Sequence, residues 1–190
     1  MARWQPDARG RLLRAAIDLF AEQGYDATTT AQIAARAGLT KTTFFRHFPD
    51  KREVLFFGQP VLVDLARTAA RTAPSDGTPM DAVLAAVDAM TATAFDEQRE
   101  YAPRLQEVVA ANIELRERAV FKQAVIARAI ADGLAERGVA EPTASLAADL
   151  GARAYHDGFD RWIEPGNTTG LPALARAALD ELRAAAARLA

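Results

Sequence analysis

The sequence predicts an all-α protein, and three observations carry that expectation. Apolar residues recur at helical spacing in nearly every segment, and no run alternates as a strand would. Alanine is abundant throughout, which favours helix and close helix packing. The breaks between periodic segments fall at proline, glycine and capping residues. The chain has 190 residues, enough for one large domain or for a small domain beside a larger one.

The elements follow in order. Leu13, Ile17, Phe20 and Ala21 form an apolar stripe that closes at Gly24, a C-cap glycine. Thr29-Thr30-Ala31-Gln32 is a capping box opening a short helix that turns Ile33, Ala34 and Ala37 inward and stops at Gly38. Thr40 caps the next helix, which runs through Phe48 and ends at Pro49. Asp50-Lys51-Arg52-Glu53 suggests a second capping box, opening a longer helix to about Ala73 that Pro60 should kink or interrupt. Residues 74–79 (PSDGTP) are a linker, and Thr78-Pro79 supplies a cap and a first-turn proline. Further helices are expected over 79–97, 103–111, 113–137, 143–163 and 172–189, broken at Pro103, Asn112, 138–142 and 165–172. The expected domains are residues 1–52, a helix-turn-helix unit with its motif at about 29–48, and residues 53–190, a helical body.

Composition narrows the function classes. No cysteine is present, so disulfides and thiolate metal sites are excluded, and no metal or cofactor site is expected. No apolar run approaches the roughly 18 residues that suggest a membrane span. The N-terminal MARWQPDARGRLL is charged and lacks the apolar core of a signal peptide, so a cytoplasmic protein is expected. The two histidines come with no glycine-rich phosphate loop and no H-E-x-x-H. Glu97/Glu100 and Glu114/Glu117 stand at helical spacing, where ion pairing to Arg104 and Arg118 accounts for them without catalysis. An enzyme is therefore not expected. Net charge is −2, but residues 1–58 carry nine Lys/Arg against six acids, and the remainder 14 against 19. A basic head on an acidic body is an electrostatic footprint suited to DNA.

At about 100° per residue, the helix from Lys41 to Phe48 divides its side chains by role. Phe44 and Phe48 fall on one side and should plug a small core against Ile17, Phe20 and Ile33. Thr42 and Arg46 fall opposite, where a DNA groove would lie, with Thr43 beside them. Lys41, Phe45 and His47 sit on the flanks, facing the sugar-phosphate walls. Lys51 is expected in the first turn of the following helix, whose amides make a phosphate seat. The plainer reading of the same face is a solvated surface of an ordinary helical protein.

Residues from about Arg9 to Phe57 resemble the N-terminal domain of the TetR family of bacterial transcriptional regulators. The resemblance rests on Phe20-Ala21-Glu22-Gln23-Gly24-Tyr25, Thr29, Ile33-Ala34, Ala37-Gly38-Leu39-Thr40 and Thr43-Phe44-Phe45-Arg46-His47-Phe48 followed by Lys51. It implies three DNA-binding helices, a connecting fourth, and a helical ligand-binding and dimerisation domain. It also implies that Thr29, Thr40, Thr43, His47 and Lys51 touch the DNA backbone, and that Lys41, Thr42 and Arg46 lie on the recognition helix, where base readout varies. Two positions depart from the family pattern. Phe45 replaces a tyrosine whose hydroxyl binds phosphate, and Thr42 stands where a small residue is usual.

Reading two successive major grooves needs recognition helices about 34–36 Å apart, so a two-fold dimer on a palindromic operator is expected. Leu146, Leu150, Ala154, Gly158 and Trp162 form one candidate dimer stripe, and Leu174, Ala178, Leu182, Ala185 and Leu189 a second. The alternative is that both stripes pack inside one subunit. The resemblance further implies a cavity for an unidentified apolar or amphipathic small molecule, whose binding releases the DNA and makes the protein a repressor. Candidate lining residues are Phe57, Val61, Val83, Val87, Met90, Phe95, Leu105, Val109, Phe121, Val125, Tyr155 and Phe159, most of which would serve equally as core. The competing function is a helical small-molecule-binding protein that has lost specific DNA binding.

Overall fold

The computed structural model describes residues 7–94 and 96–189; Phe95 lies outside them. Among the described residues there are nine α-helices, one 3₁₀ turn and no strand. They are α1 (Ala8–Gln23), α2 (Thr30–Arg36), α3 (Lys41–His47), the 3₁₀ turn (Glu53–Phe56), α4 (Gln59–Thr72), α5 (Pro79–Thr91), α6 (Asp96–Ala111), α7 (Ile113–Ala135), α8 (Thr143–Ile163) and α9 (Leu171–Ala187). No described helix is long and apolar enough to cross a membrane.

Pro60 marks the expected interruption, whereas Pro103 does not break its helix. Residues 50–73 do not form one helix. The Asp50 carboxylate accepts the Arg52 and Glu53 amides at 2.8 and 3.1 Å and opens only the 3₁₀ turn. The chain restarts at α4, where Pro60 occupies the first turn and its missing N–H breaks no helical bond. The Glu53 carboxylate pairs with Arg118 at 2.6 Å. Pro103 conversely lies inside α6, which starts before it at Asp96, and α5 ends at Thr91. The Thr91 and Thr93 hydroxyls there bond back to the carbonyls of Asp88 and Met90, the local bonding that competes with helix continuation.

The described residues divide into two compact units, one within Met1–Gly58 and Glu100–Ala119, the other within Gln59–Arg99 and Val120–Ala190. The first, the head, is built on Leu12, Ile33, Phe44, Val54 and Leu115, all fully buried. Val108 joins the same core, with Leu105, Val109 and Phe57 packed against it. Those last three, expected at a ligand cavity, are therefore parts of the head. Arg104 reaches Asp18 of α1 at 2.7 Å, fastening α6 to the head from outside.

The second unit, the body, relies on close helix crossings at small residues. A β-carbon at Gly133 of α7 would stand 2.6 Å from the Arg67 carbonyl of α4, and one at Gly151 of α8 would stand 2.5 Å from Val83 of α5. Gly158 of α8 meets the backbone of Ala175 in α9 in the same way. The Arg137 guanidinium donates to the carbonyls of Ala73 and Pro74 and so caps the end of α4. Arg176 clamps Asp88 at 2.7 and 2.8 Å, tying α9 to α5.

Four expected dimer residues are taken up by this packing. Ala154, Gly158, Trp162 and Ala178 are buried within their own subunit, because α8 and α9 cross on them. Leu146 and Leu189 remain exposed, and Leu150, Leu174, Leu182 and Ala185 half-buried.

Candidate nucleic-acid interface

The helix-turn-helix is made by its caps. The Thr29 hydroxyl accepts the Gln32 amide at 3.2 Å while the Gln32 side chain accepts the Thr29 amide at 2.8 Å, the reciprocal pairing expected for α2. Gly38 turns the chain with φ of 68°, a left-handed conformation that suits glycine. Thr40 then caps α3, its hydroxyl accepting the Thr43 amide at 3.1 Å. The short helix is anchored by Phe44, fully buried, and Phe48 beyond its end, with their rings 5.7 Å apart.

With Phe44 inward, Lys41, Thr42, Phe45 and Arg46 are exposed, and Thr43 and His47 are half-buried. Lys41 and Arg46 make no ion pair among the described residues, whereas Arg36 of α2 is held by Glu22 at 2.7 Å. The Phe45 ring is 48% exposed. Its edge rests on Phe44 at 5.5 Å, and the Lys41 ammonium stands 5.9 Å from its centroid. This ring offers no hydrogen bond, so its contribution to any partner is apolar.

His47 lies in a positive surrounding. Its Nε2 is buried without a hydrogen-bond partner among the described residues. Burial, then the charges of Arg46 and Arg9, push its pKa below the ordinary histidine value. Arg9, which the sequence pattern did not single out, is thereby placed beside α3. Its only sequence signal is a cation in the first turn of α1, where the helix dipole favours an acid.

Thr29 and Thr40 are exposed at the two helix starts, as caps. Lys51 is not in a helix's first turn. It lies in the turn before Glu53, and its ammonium donates to the carbonyls of Tyr25, Thr28 and Asp26 at 2.6, 3.0 and 3.4 Å.

The candidate ligand residues do not converge on one cavity. Val83, Val87 and Met90 are fully buried in the body, and Tyr155 is buried with its ring 6.4 Å from that of half-buried Phe159. Val61 and Phe121 are exposed. Phe121 and Val125 of α7 line an open groove of about 410 Å³ with Gln59, Pro60, Val63, Asp64, Arg67 and Lys122. No group of three or more His, Asp or Glu side chains is arranged to hold a metal among the described residues.

A two-helix motif with a glycine turn, a pinned second helix and exposed cations on its outer face has the geometry of a helix-turn-helix. Residues 12–56 match the family profile described as bacterial regulatory proteins, tetR family. This match covers the N-terminal segment, about a quarter of the chain. The chain is 34% identical over 92 residues to the HTH-type transcriptional regulator TcmR of Streptomyces glaucescens, a stretch covering 48% of this chain and 41% of that protein. The chain thus spans less than half the length of this curated relative. The SmeT–triclosan complex shares the fold with a TM-score of 0.59 at 22% identity, over 94% of this chain and 90% of that one. Thermus thermophilus FadR in complex with lauroyl-CoA does so with a TM-score of 0.51 at 24% identity, over 92% of each chain.

Proposed function

We propose that this protein is a sequence-specific DNA-binding transcriptional regulator, a repressor acting as a two-fold dimer on a palindromic operator and released by a small apolar or amphipathic ligand. The observation that carries the reading is the outer face of α3. Lys41, Thr42 and Arg46 stand exposed on a helix whose other side is locked into the core by Phe44. Arg46 and Thr42 meet base edges, while Lys41, Thr43 and His47 meet the backbone. Thr29 and Thr40 flank these contacts at the helix starts.

Dimerisation uses the apolar residues that α8 and α9 leave uncovered, chiefly Leu146, Leu150, Leu182 and Leu189. The ligand enters the groove between α4 and α7, against Val63, Phe121 and Val125. Two proteins of this fold hold apolar or amphipathic molecules, triclosan and lauroyl-CoA. A ligand favouring a conformation with misplaced heads releases DNA by shifting the population.

Selection from random duplexes followed by gel shift tests the reading. A palindromic consensus bound with strong salt dependence is expected. Absence of salt-sensitive duplex binding overturns it in favour of a ligand-binding protein without DNA affinity.

A further inference from the structure

Lys51 sits two residues past Pro49, which closes α3, yet its side chain ends at the loop before α2. An ammonium has three donors. Here they meet the Tyr25 carbonyl at 2.6 Å, the Thr28 carbonyl at 3.0 Å and the Asp26 carbonyl at 3.4 Å. The charge also stands 4.1 Å from the centroid of the Tyr25 ring, within cation–π range. Every donor is occupied inside the protein, and none is left for a phosphate.

The seat is itself rigid. The Tyr25 side chain is buried and its ring rests on Phe20 at 5.1 Å. Thr28 is 1% exposed, with its hydroxyl bonded to the Gly24 carbonyl at 2.8 Å. The next residue, Thr29, caps α2. Lys51 therefore joins the stretch after α3 to the stretch before α2 and closes the helix-turn-helix into a ring.

We propose that Lys51 is a positioning residue for DNA recognition: it fixes the presentation of α3 by clamping the Tyr25–Thr28 carbonyls and donates no hydrogen bond to the DNA backbone. This rests on the DNA-binding reading above. A phosphate contact and a clamp respond differently to substitution. A guanidinium replaces an ammonium readily at phosphate, but its planar fork does not fit three convergent carbonyls under an aromatic ring.

The test uses the full chain with Lys51→Met, Lys51→Arg and, as a phosphate-contact control, Lys41→Met. Duplex affinity is measured across salt concentrations, and amide exchange is followed in the free proteins. Lys51→Met should lose about tenfold in affinity with the slope against log salt unchanged, and Lys51→Arg should not restore it. Lys41→Met should lower the slope by about one. Both Lys51 variants should exchange faster at residues 28–32. A slope lowered by about one in Lys51→Met, full affinity in Lys51→Arg, or unchanged exchange at 28–32 each overturns the proposal. If the wild type binds no duplex, the DNA reading falls and the positioning role with it, while faster exchange would still mark the clamp.

Discussion

Gly158 of α8 presses directly on Ala175 of α9: a β-carbon added at 158 would stand 2.6 Å from the Ala175 Cα and 2.7 Å from its nitrogen. The obstacle is backbone, which cannot rotate aside. Gly158→Ala should therefore force the helices apart and destabilise the body by about 2–3 kcal/mol, the usual penalty of overpacking. Urea unfolding measures it, and a loss below about 0.5 kcal/mol would show that the crossing yields.

Since Gly158 and Ala178 are occupied inside the subunit, the proposed dimer is expected to use the outward leucines. Leu146→Glu combined with Leu189→Glu should convert a dimer to a monomer in sedimentation equilibrium without a matching loss of helix signal, because the two are 62% and 89% exposed and charged groups are depleted at interface cores. A double variant that remains dimeric would place the interface elsewhere.

Arg46 and Lys41 should separate by readout. Arg46→Ala should flatten base preference at one position of each half-site, at a cost of about 1–3 kcal/mol for the preferred base, whereas Lys41→Ala should weaken all duplexes alike. Repeating the selection with Arg46→Ala decides this; an unchanged consensus removes Arg46 from base readout.

Phe45 has no hydroxyl for the backbone. Phe45→Tyr should restore one and strengthen binding to all duplexes by about 1 kcal/mol, or roughly fivefold. Gel shifts with operator and scrambled duplex check it, and a gain confined to the operator would mean that the ring faces bases.

Both histidines predict acid sensitivity. Burial, then Arg46 and Arg9, lower the His47 pKa; burial lowers that of His156 against the pull of Asp160 and Asp157. Each folded imidazole is thus harder to protonate than in the unfolded chain. Stability is complete above the unfolded value near 6.5 and declines as pH falls from there toward the lowered folded values. Melting temperature at pH 7.5 and 5.5 tests this: His156→Gln should narrow the difference, and equal melting of the wild type at the two values would contradict it.

The recognition unit was legible because its signals are local. Thr29 with Gln32, Gly38 and Thr40 fix helix ends through bonds three residues long, and the helical period alone turned Phe44 inward and Arg46 outward. Pro103, read as a break, lies inside α6, because a proline's effect depends on where its helix begins, which neighbours outside the window decide. Lys51 and Leu105 carry no sign in their own surroundings of where they end up. Their partners lie at Tyr25 and in the head core, fixed by packing across long stretches of chain. The same applies to Gly158, a small residue on a helical stripe whether its neighbour is its own subunit or another.

The head core closes with Val108 and Leu115, two helices and more than forty residues after the recognition unit. During synthesis, α1 to α3 leave the ribosome with that side of their core still open to water, and it is sealed only when the chain has been extended past residue 115. The helix-turn-helix is thus not a transplantable cassette. Grafted alone onto another body, residues 1–58 would expose the apolar surface that Val108 and Leu115 cover, and a working chimera must carry residues 100–119 as well.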